Sequence, residues 1–330
     1  MIIANWAKSI GKAGTFAELN NQPTPFCFSV AKNVIYQNIK KALGLDKAKF
    51  LIFGAAPMAN STREYFLSLN MFLINGYGMS ESSGPQTTSD AKNFKEFDAY
   101  ALSSCGSKIE GTDMMLFDLD KHLNGEICYK GRNRFMGYYK NEIDTMNTID
   151  AQGYLHSGDV GKIDERGNLS ITGRIKELII TAGGENVAPI LIENEIKESL
   201  PFVSNAMVIG DKRKYLIVLL TLKYVMDKDN KLTDQLTEEA LKMLGTIGSK
   251  AKNYETAVKD EVLKKFINTE IKKANEKSIS RAHHVRKWSF IPGDFTVDGG
   301  ELTPTLKLKR RVTADKFTEV IEGLYQDPKL

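Results

Sequence analysis

Several short stretches hold the residue types best suited to chemistry. Tyr77-Gly78-Met79-Ser80-Glu81 places a flat aromatic ring, a small hydroxyl and a hard carboxylate within five positions. Standing alone, it reads equally well as a glycine turn followed by a helix cap at Ser80. Leu155-His156-Ser157-Gly158-Asp159 ends in a carboxylate able to accept two neighbouring hydroxyl hydrogen bonds. The plainer reading is a hairpin aspartate that stabilises its own turn. The run Ile171 to Val187 carries Arg174, Lys176 and a Gly183-Gly184 turn; an Arg-x-Lys pair is otherwise a solvated strand. Glu301 to Arg311 carries Lys307 followed by Lys309, Arg310 and Arg311, which by itself is a basic C-terminal tail. Gly54-Ala55-Ala56-Pro57 is a tight loop. His156 is better explained as packed or solvated than as catalytic. His122, His283 and His284 lack metal-ligand spacing, and Cys27, Cys105 and Cys128 form neither a metal pattern nor a disulfide framework.

The elements that must position these residues alternate in type. Phe50–Phe53 is a short apolar run ending at Gly54, so it predicts a buried strand. Ser61-Thr62-Arg63-Glu64 offers a capping box for a helix that would turn Tyr65, Phe66 and Leu69 inward. Met71–Ile74 predicts a second buried strand leading into a Gly76–Glu81 loop, at the ligand-facing edge of a parallel sheet. Residues 105–172 change to strands and hairpins: Gly125–Gly131, then Tyr154–Ile163 and Leu169–Thr172 around an Asp164–Asn168 loop. Beyond them, Pro189 suits the first turn of a helix with Ile192, Ile196 and Leu200 on one face. Ala206–Ile209 and Tyr215–Leu222 read as two strands, and Leu263, Ile267, Ile271 and Ala274 mark an amphipathic helix. The pattern breaks near 173–177, dividing the chain into 1–172 and 173–330.

The 330 residues, 42% hydrophobic and 26% charged, suit a two-domain soluble protein. The longest apolar run, Tyr215–Leu222, is strand-sized, and the N-terminus has the wrong flanks for a signal peptide. A reducing, cytoplasmic setting is expected. The whole excess of +4 falls within 173–330, and 264–287 alone hold eight Lys/Arg against two Asp/Glu. That run could meet a polyanionic ligand or an anionic membrane surface, although a wet helix face is the commoner explanation. Nucleic-acid binding lacks a basic-aromatic platform or a helix-turn-helix signal.

Taken together, Tyr77–Glu81, Leu155–Asp159, Ile171–Val187 and Glu301–Arg311 resemble the adenylate-forming, or AMP-binding, enzymes. Within them the chain looks most like the bubblegum branch of the long-chain acyl-CoA synthetases. The likeness runs from Trp6 to the C-terminus and about seventeen consecutive positions follow it at 171–187. It implies an α/β fold: the later part of a large nucleotide-binding domain with a parallel sheet, a small β subdomain, and a mobile α+β C-terminal lid. It also implies ATP, Mg²⁺ and CoA as co-substrates and cofactor, a long-chain fatty acid as substrate, and two steps through acyl-AMP to acyl-CoA. Gly54, Ala55, Ala56 and Pro57 would line the adenine pocket, with Gly76, Tyr77, Gly78, Met79 and Ser80 around base and phosphate. Glu81 would hold Mg²⁺, Asp159 would grip the ribose, and Arg174 would meet ribose and phosphate. Lys176 would be the hinge, Gly183 and Gly184 the path of the pantetheine arm, and Lys307 the adenylation lysine. The family more often has glycine where Leu306 stands here.

One departure shapes the expectation. The family's Ser/Thr/Gly-rich phosphate loop has no counterpart; Gly84-Pro85-Gln86-Thr87-Thr88 is short and follows the aromatic motif instead of preceding it. Amides and hydroxyls of such a loop cradle the β- and γ-phosphates. Adenylation by this chain alone is therefore expected to be impaired, with the loop supplied by an N-terminal half or a partner chain. An adenylating ligase for another carboxylate, or a non-catalytic fragment binding AMP or CoA, are the alternatives.

Overall fold

Apolar runs bounded by glycine pair first. In the computed structural model, β1 (Leu51–Gly54) lies parallel to β2 (Leu73–Met79), with Leu51 opposite Leu73 and Gly54 opposite Gly76. The structure describes residues 2–55, 58, 60–89, 104–228 and 231–326. Ala56 and Pro57 lie outside these residues. β3 (Gly84–Thr88) and β4 (Ser107–Lys108) continue the sheet antiparallel, so the described sheet is mixed. The reason is local: only the Ser80–Ser82 turn joins β2 to β3, too short for the crossover that a parallel neighbour needs.

β2 extends further than the sequence reading had it. Gly76, Tyr77, Gly78 and Met79 are strand, and the chain turns only at Ser80–Ser82. Gly78 makes this possible, because a Cβ there would meet the Gly84 carbonyl oxygen at 2.1 Å. The helix after β1 covers Asn60–Ser68, so Ser61 is inside it and is not its cap. Arg63 and Leu67, one turn apart, face inward together, with Leu69 buried just past the helix end. Tyr65 falls on the other side and is exposed, against expectation.

The β subdomain is an antiparallel meander of β5 (Thr112–Phe117), β6 (Gly125–Gly131), β7 (Leu155–Ile163) and β8 (Leu169–Arg174), in that order. Period-two alternation sends Ile127, Tyr129, Leu155 and Leu169 into one cluster with Tyr77 and Cys105. This shared cluster fixes the meander against the β2 end of the mixed sheet.

The chain separates into two compact units, Met1–Ile175 and Lys176–Leu330. The second begins with a short ribbon, β9 (Ile179–Ile180) and β10 (Asn186–Val187), followed by the Pro189–Ser199 helix. Its sheet pairs β11 (Val203–Ile209) antiparallel and β15 (Val285–Phe290) parallel to β12 (Leu216–Leu222), with the ribbon of β13 (Tyr224–Met226) and β14 (Leu232–Leu236) between in sequence. β12 is buried at every position. Leu216, Val218, Leu220 and Leu222 meet Ile196 and the Glu261–Glu276 helix residues Leu263, Ile267 and Ile271, while Ile217 and Leu219 meet Phe295 and Ile321. A strand covered on both faces loses polar alternation, which is why Tyr215–Leu220 is an unbroken apolar run and the single polar residue beyond it, Thr221, is buried with its hydroxyl on Asp294.

No helix among the described residues is long and apolar enough to cross a membrane. Within the basic 264–287 run, Lys264, Lys273 and Lys277 form ion pairs with Glu261, Glu270 and Glu195. Those three cations read as a solvated, charge-balanced face.

Candidate functional site

Asp159 is the centre of the first unit's constellation. It sits on β7 opposite Arg174 of β8 in the antiparallel register, and it is 8% exposed. Arg174 Nε lies 2.9 Å from its Oδ1, and the Tyr77 hydroxyl donates to its Oδ2 at 2.9 Å. Three residues from separate sequence motifs thus meet at one carboxylate. Burial raises the Tyr77 phenol pKa above its ordinary value and the Asp159 charge adds to this, so Tyr77 stays a neutral donor. Its ring is only 7% exposed and packs as core. In this arrangement Tyr77 presents its hydroxyl, and a flat ligand can stack on the ring only if that packing opens.

The Asp159 loop is held from behind by Glu126. Glu126 Oε1 accepts from the Gly158 amide at 2.9 Å, and Oε2 lies 2.7 Å from His156 Nδ1. The other ring nitrogen of His156 is 3.6 Å from Asp150 Oδ2. The Asp159 amide donates to Ser157 Oγ at 3.1 Å. Gly158 takes φ +70, a conformation open to glycine at little cost. His156 is therefore a packed, hydrogen-bonded residue, as read from the sequence, but Glu126 carried no signal there.

Glu81 stands on the turn that ends β2. Tyr138 donates to its Oε1 at 2.9 Å, and its own carbonyl accepts from the Phe135 amide at 2.7 Å. Among the described residues Oε2 takes no protein hydrogen bond. A half-buried hard oxygen of this kind fits a Mg²⁺ ligand. The turn is fastened by Ser82, whose hydroxyl accepts from the Met79 amide at 3.1 Å; Ser80 is exposed and makes no cap. Tyr138 carries no sequence signal because its partner is 57 residues away; Ser82, only three residues from Met79, is a local signal masked by the neighbouring Ser80, which the sequence offers as the cap. Gly54 ends β1, where a Cβ would meet the Gly76 carbonyl oxygen at 2.5 Å, and Ala55 follows in the left-handed region at φ 66.

Lys176, Gly183, Gly184 and Lys307 belong to the second unit. Lys176 is its first residue, exposed on the Ile175–Glu177 turn. Gly183 and Gly184 are exposed in the β9–β10 connection, and Gly184 requires φ +77. Lys307 is exposed on a hairpin that turns at Pro304–Thr305, next to its closing Leu302–Leu308 bridge. Thr303 accepts from the Leu306 amide at 2.8 Å through its carbonyl and from the Lys307 amide at 3.0 Å through Oγ1. Leu306 is forced to φ +60 and is 70% exposed. That backbone explains why glycine suits the position. Just past the hairpin, Arg310 makes a bidentate pair with Glu193 at 2.6 and 2.7 Å and reaches Glu177 at 3.5 Å. One guanidinium thus ties the Lys307 hairpin to the residue after Lys176.

An open cleft of about 660 Å³ also lies on the β subdomain, lined by Lys108, Asp113, Lys130, Arg132 and Arg134 among others. It contains none of these site residues.

Comparisons with known proteins agree on both units. The family model of AMP-binding enzymes matches residues 17–139, and that of the AMP-binding enzyme C-terminal domain matches 176–289. The chain is 45% identical over 329 residues to the long-chain-fatty-acid–CoA ligase ACSBG2 of Xenopus laevis, covering 98% of this chain and 44% of that protein. It is 42% identical over 328 residues to human ACSBG1, again covering 98% and 44%. The chain thus spans less than half the length of these curated relatives. Among solved structures, the adenylation domain of a Mycobacterium chelonae carboxylate reductase matches 98% of the chain with a TM-score of 0.64 at 21% identity, over 45% of that structure. An AMP complex of a carboxylic acid reductase didomain from Segniliparus rugosus matches 97% with a TM-score of 0.63 at 20% identity, over 40% of its chain. These structures share the fold.

Proposed function

Since the chain belongs to the family of AMP-binding enzymes, we propose that it forms the nucleotide-gripping part and the lid of a long-chain fatty acid–CoA ligase. The observation that carries this reading is the meeting of Tyr77, Arg174 and Asp159 at one buried carboxylate. Asp159 would exchange its present partners for two ribose hydroxyls, for which a carboxylate has enough lone pairs. Arg174 is about half exposed and would follow the phosphate. Gly54, Ala55 and the Gly76–Ser80 strand end would border the base, with the Tyr77 ring freed from part of its packing.

The proposed reaction has two steps. A fatty carboxylate attacks the α-phosphorus of ATP, giving acyl-AMP and pyrophosphate; the CoA thiol then displaces AMP to give the thioester. Lys307, on its exposed hairpin, would pair with the carboxylate and α-phosphate oxygens as charge develops. Mg²⁺, held by Glu81, would supply charge neutralisation to the phosphates. Rotation about Lys176 would exchange Lys307 for the Gly183-Gly184 turn in the second step. The turn is exposed, and a Cβ at Gly183 would approach nothing nearer than Thr181 Oγ1 at 3.8 Å, so a narrow ligand could lie against its backbone. Peripheral contact at the endoplasmic reticulum or another membrane belongs to the same proposal and rests on Lys265, Lys272, Arg281 and Arg286, the cations of 264–287 outside the Lys264, Lys273 and Lys277 ion pairs and the Lys287 ring contact; a cytoplasmic setting goes with it on the three free cysteines.

Calorimetry with AMP on the 330-residue chain tests the nucleotide grip. Each hydrogen bond to a buried carboxylate contributes ~1.5–3 kcal/mol, so Asp159→Ala should weaken AMP binding on the order of 10²-fold or more. Undiminished affinity would sink the assignment. Palmitate-dependent ATP–pyrophosphate exchange then separates a ligase from a chain that only binds AMP or CoA: exchange supports the first, binding without exchange the second.

A further inference from the structure

We propose that Glu126, Cys128 and His156 form a binding site for a thiophilic divalent cation of the zinc class, placed behind the Asp159 loop. Neither the reaction nor the nucleotide role of Asp159 is needed for this. Glu126 and Cys128 are two apart on β6 and so project to the same face. The β6–β7 register sets Cys128 directly opposite His156. Three donor atoms, a carboxylate oxygen, a thiol sulfur and an imidazole nitrogen, therefore converge within 4.8 Å of one another. The sequence hides this, since the residues are 28 apart across the hairpin and match no local ligand motif.

The distances suit a small tetrahedral ion. Metal–sulfur and metal–nitrogen bonds of ~2.3 and ~2.1 Å imply ligand separations of about 3.5 Å, and Cys128 Sγ lies 3.4 Å from His156 Nδ1. Glu126 Oε2, now 2.7 Å from Nδ1, would retreat by roughly half an ångström as the ion takes the place of any proton on Nδ1; that proton would pass to solvent, leaving the neutral ring's hydrogen on Nε2. Asp150 already faces the remote ring nitrogen of His156 at 3.6 Å, which is where metal-bound histidines commonly find a carboxylate to orient them. The electrostatics point the same way. Two carboxylates and a thiol surround one imidazole, and among the described residues no Lys or Arg forms an ion pair with Glu126 or Asp150. Cys128 is fully buried, whereas Glu126 and His156 retain partial exposure, leaving the cluster reachable from solvent, from which a fourth ligand would come. On binding, the Cys128 thiol would release its proton to solvent and coordinate as thiolate. Because Glu126 Oε1 also receives the Gly158 amide, the ion would brace the loop that aims Asp159.

The test uses the untagged, metal-stripped 330-residue chain. Zn²⁺ titrated against a chromogenic chelator should bind at one per chain. Co²⁺ should give a thiolate-to-cobalt charge-transfer band with the intense visible bands of tetrahedral coordination. Cys128→Ser and His156→Ala should each weaken Zn²⁺ binding by at least 10²-fold, and Asp150→Asn by about 10–100-fold. Absence of the Co²⁺ thiolate band in the unmutated chain would overturn the proposal without recourse to any variant. So would Zn²⁺ binding that is equally strong after Cys128→Ser.

Discussion

Arg310→Met is the substitution whose consequence can be worked furthest from the geometry. Glu193 is 3% exposed, and its carboxylate is met by both Arg310 terminal nitrogens and by the Val208 amide at 2.7 Å. Removing the guanidinium strands a buried anion with a single neutral donor. Breaking a buried pair in this way costs ~3–5 kcal/mol, a large part of the ~5–15 kcal/mol that stabilises an ordinary domain. For a unit of this size it should lower Tm by roughly 6–20 °C. Two effects contribute, the stranded charge and the lost packing of the Arg stem, and a double variant separates them. Glu193→Gln with Arg310→Met removes both charges yet keeps an acceptor for the Val208 amide. If the stranded charge dominates, the double variant recovers most of the loss. The assay is denaturant unfolding followed through Trp288, which lies on β15 in the second unit, in a Trp6→Phe background so that the first unit is silent. A single-variant cost below about 1 kcal/mol, the level of a solvent-exposed pair, would refute the burial argument. A double variant no more stable than the single would assign the loss to packing instead.

Two further predictions concern the Lys307 hairpin and its support. Leu306→Gly should leave stability unchanged or raise it by up to ~1 kcal/mol, since left-handed backbone costs a leucine about 1–2 kcal/mol and glycine's greater unfolded-state freedom offsets part of the gain; Leu306→Val should lower the denaturation midpoint, and equal midpoints would show that φ +60 is unstrained here. The Glu301 carboxyl is held below its ordinary pKa: burial alone would raise it, but the Lys316 hydrogen bond, backbone amides and the Lys316 charge prevail. A folded pKa below the unfolded one means that its stabilisation is present above the unfolded value near 4.5 and is lost as pH falls through the folded value. Tm measured against pH should therefore fall on the acid side, and less steeply in Glu301→Gln; identical acid limbs would remove Glu301 from that account.

The sequence by itself determined the elements whose signals are local. Pro189 starts its helix, the largely apolar run at 215–222 contains a strand buried on both faces, and Leu263, Ile267, Ile271 and Ala274 fall on one buried helical face. The α/β class and the β meander followed from the same periodicities, because repeats of 2 and 3.6 are written in adjacent residues. The family was legible too, since it is carried by contiguous motifs. Local signals misled where long-range packing overrode them. Ser61 has the chemistry of a cap but lies inside its helix, and Tyr65 points outward because the i, i+4 pair Arg63 and Leu67 took the buried face. Gly76–Met79 reads as loop from its glycines, yet Gly78 is there to let β3 approach. Pairings across the chain were decided only by tertiary structure: Tyr77 to Asp159 over 82 positions, Arg310 to Glu193 over 117, and Glu81 to Tyr138 over 57. The same holds for Cys128 and His156, which strand register alone sets face to face. Residue types state what a side chain can donate or accept, but its partner is fixed by sheet register and by which surfaces the cores bury together.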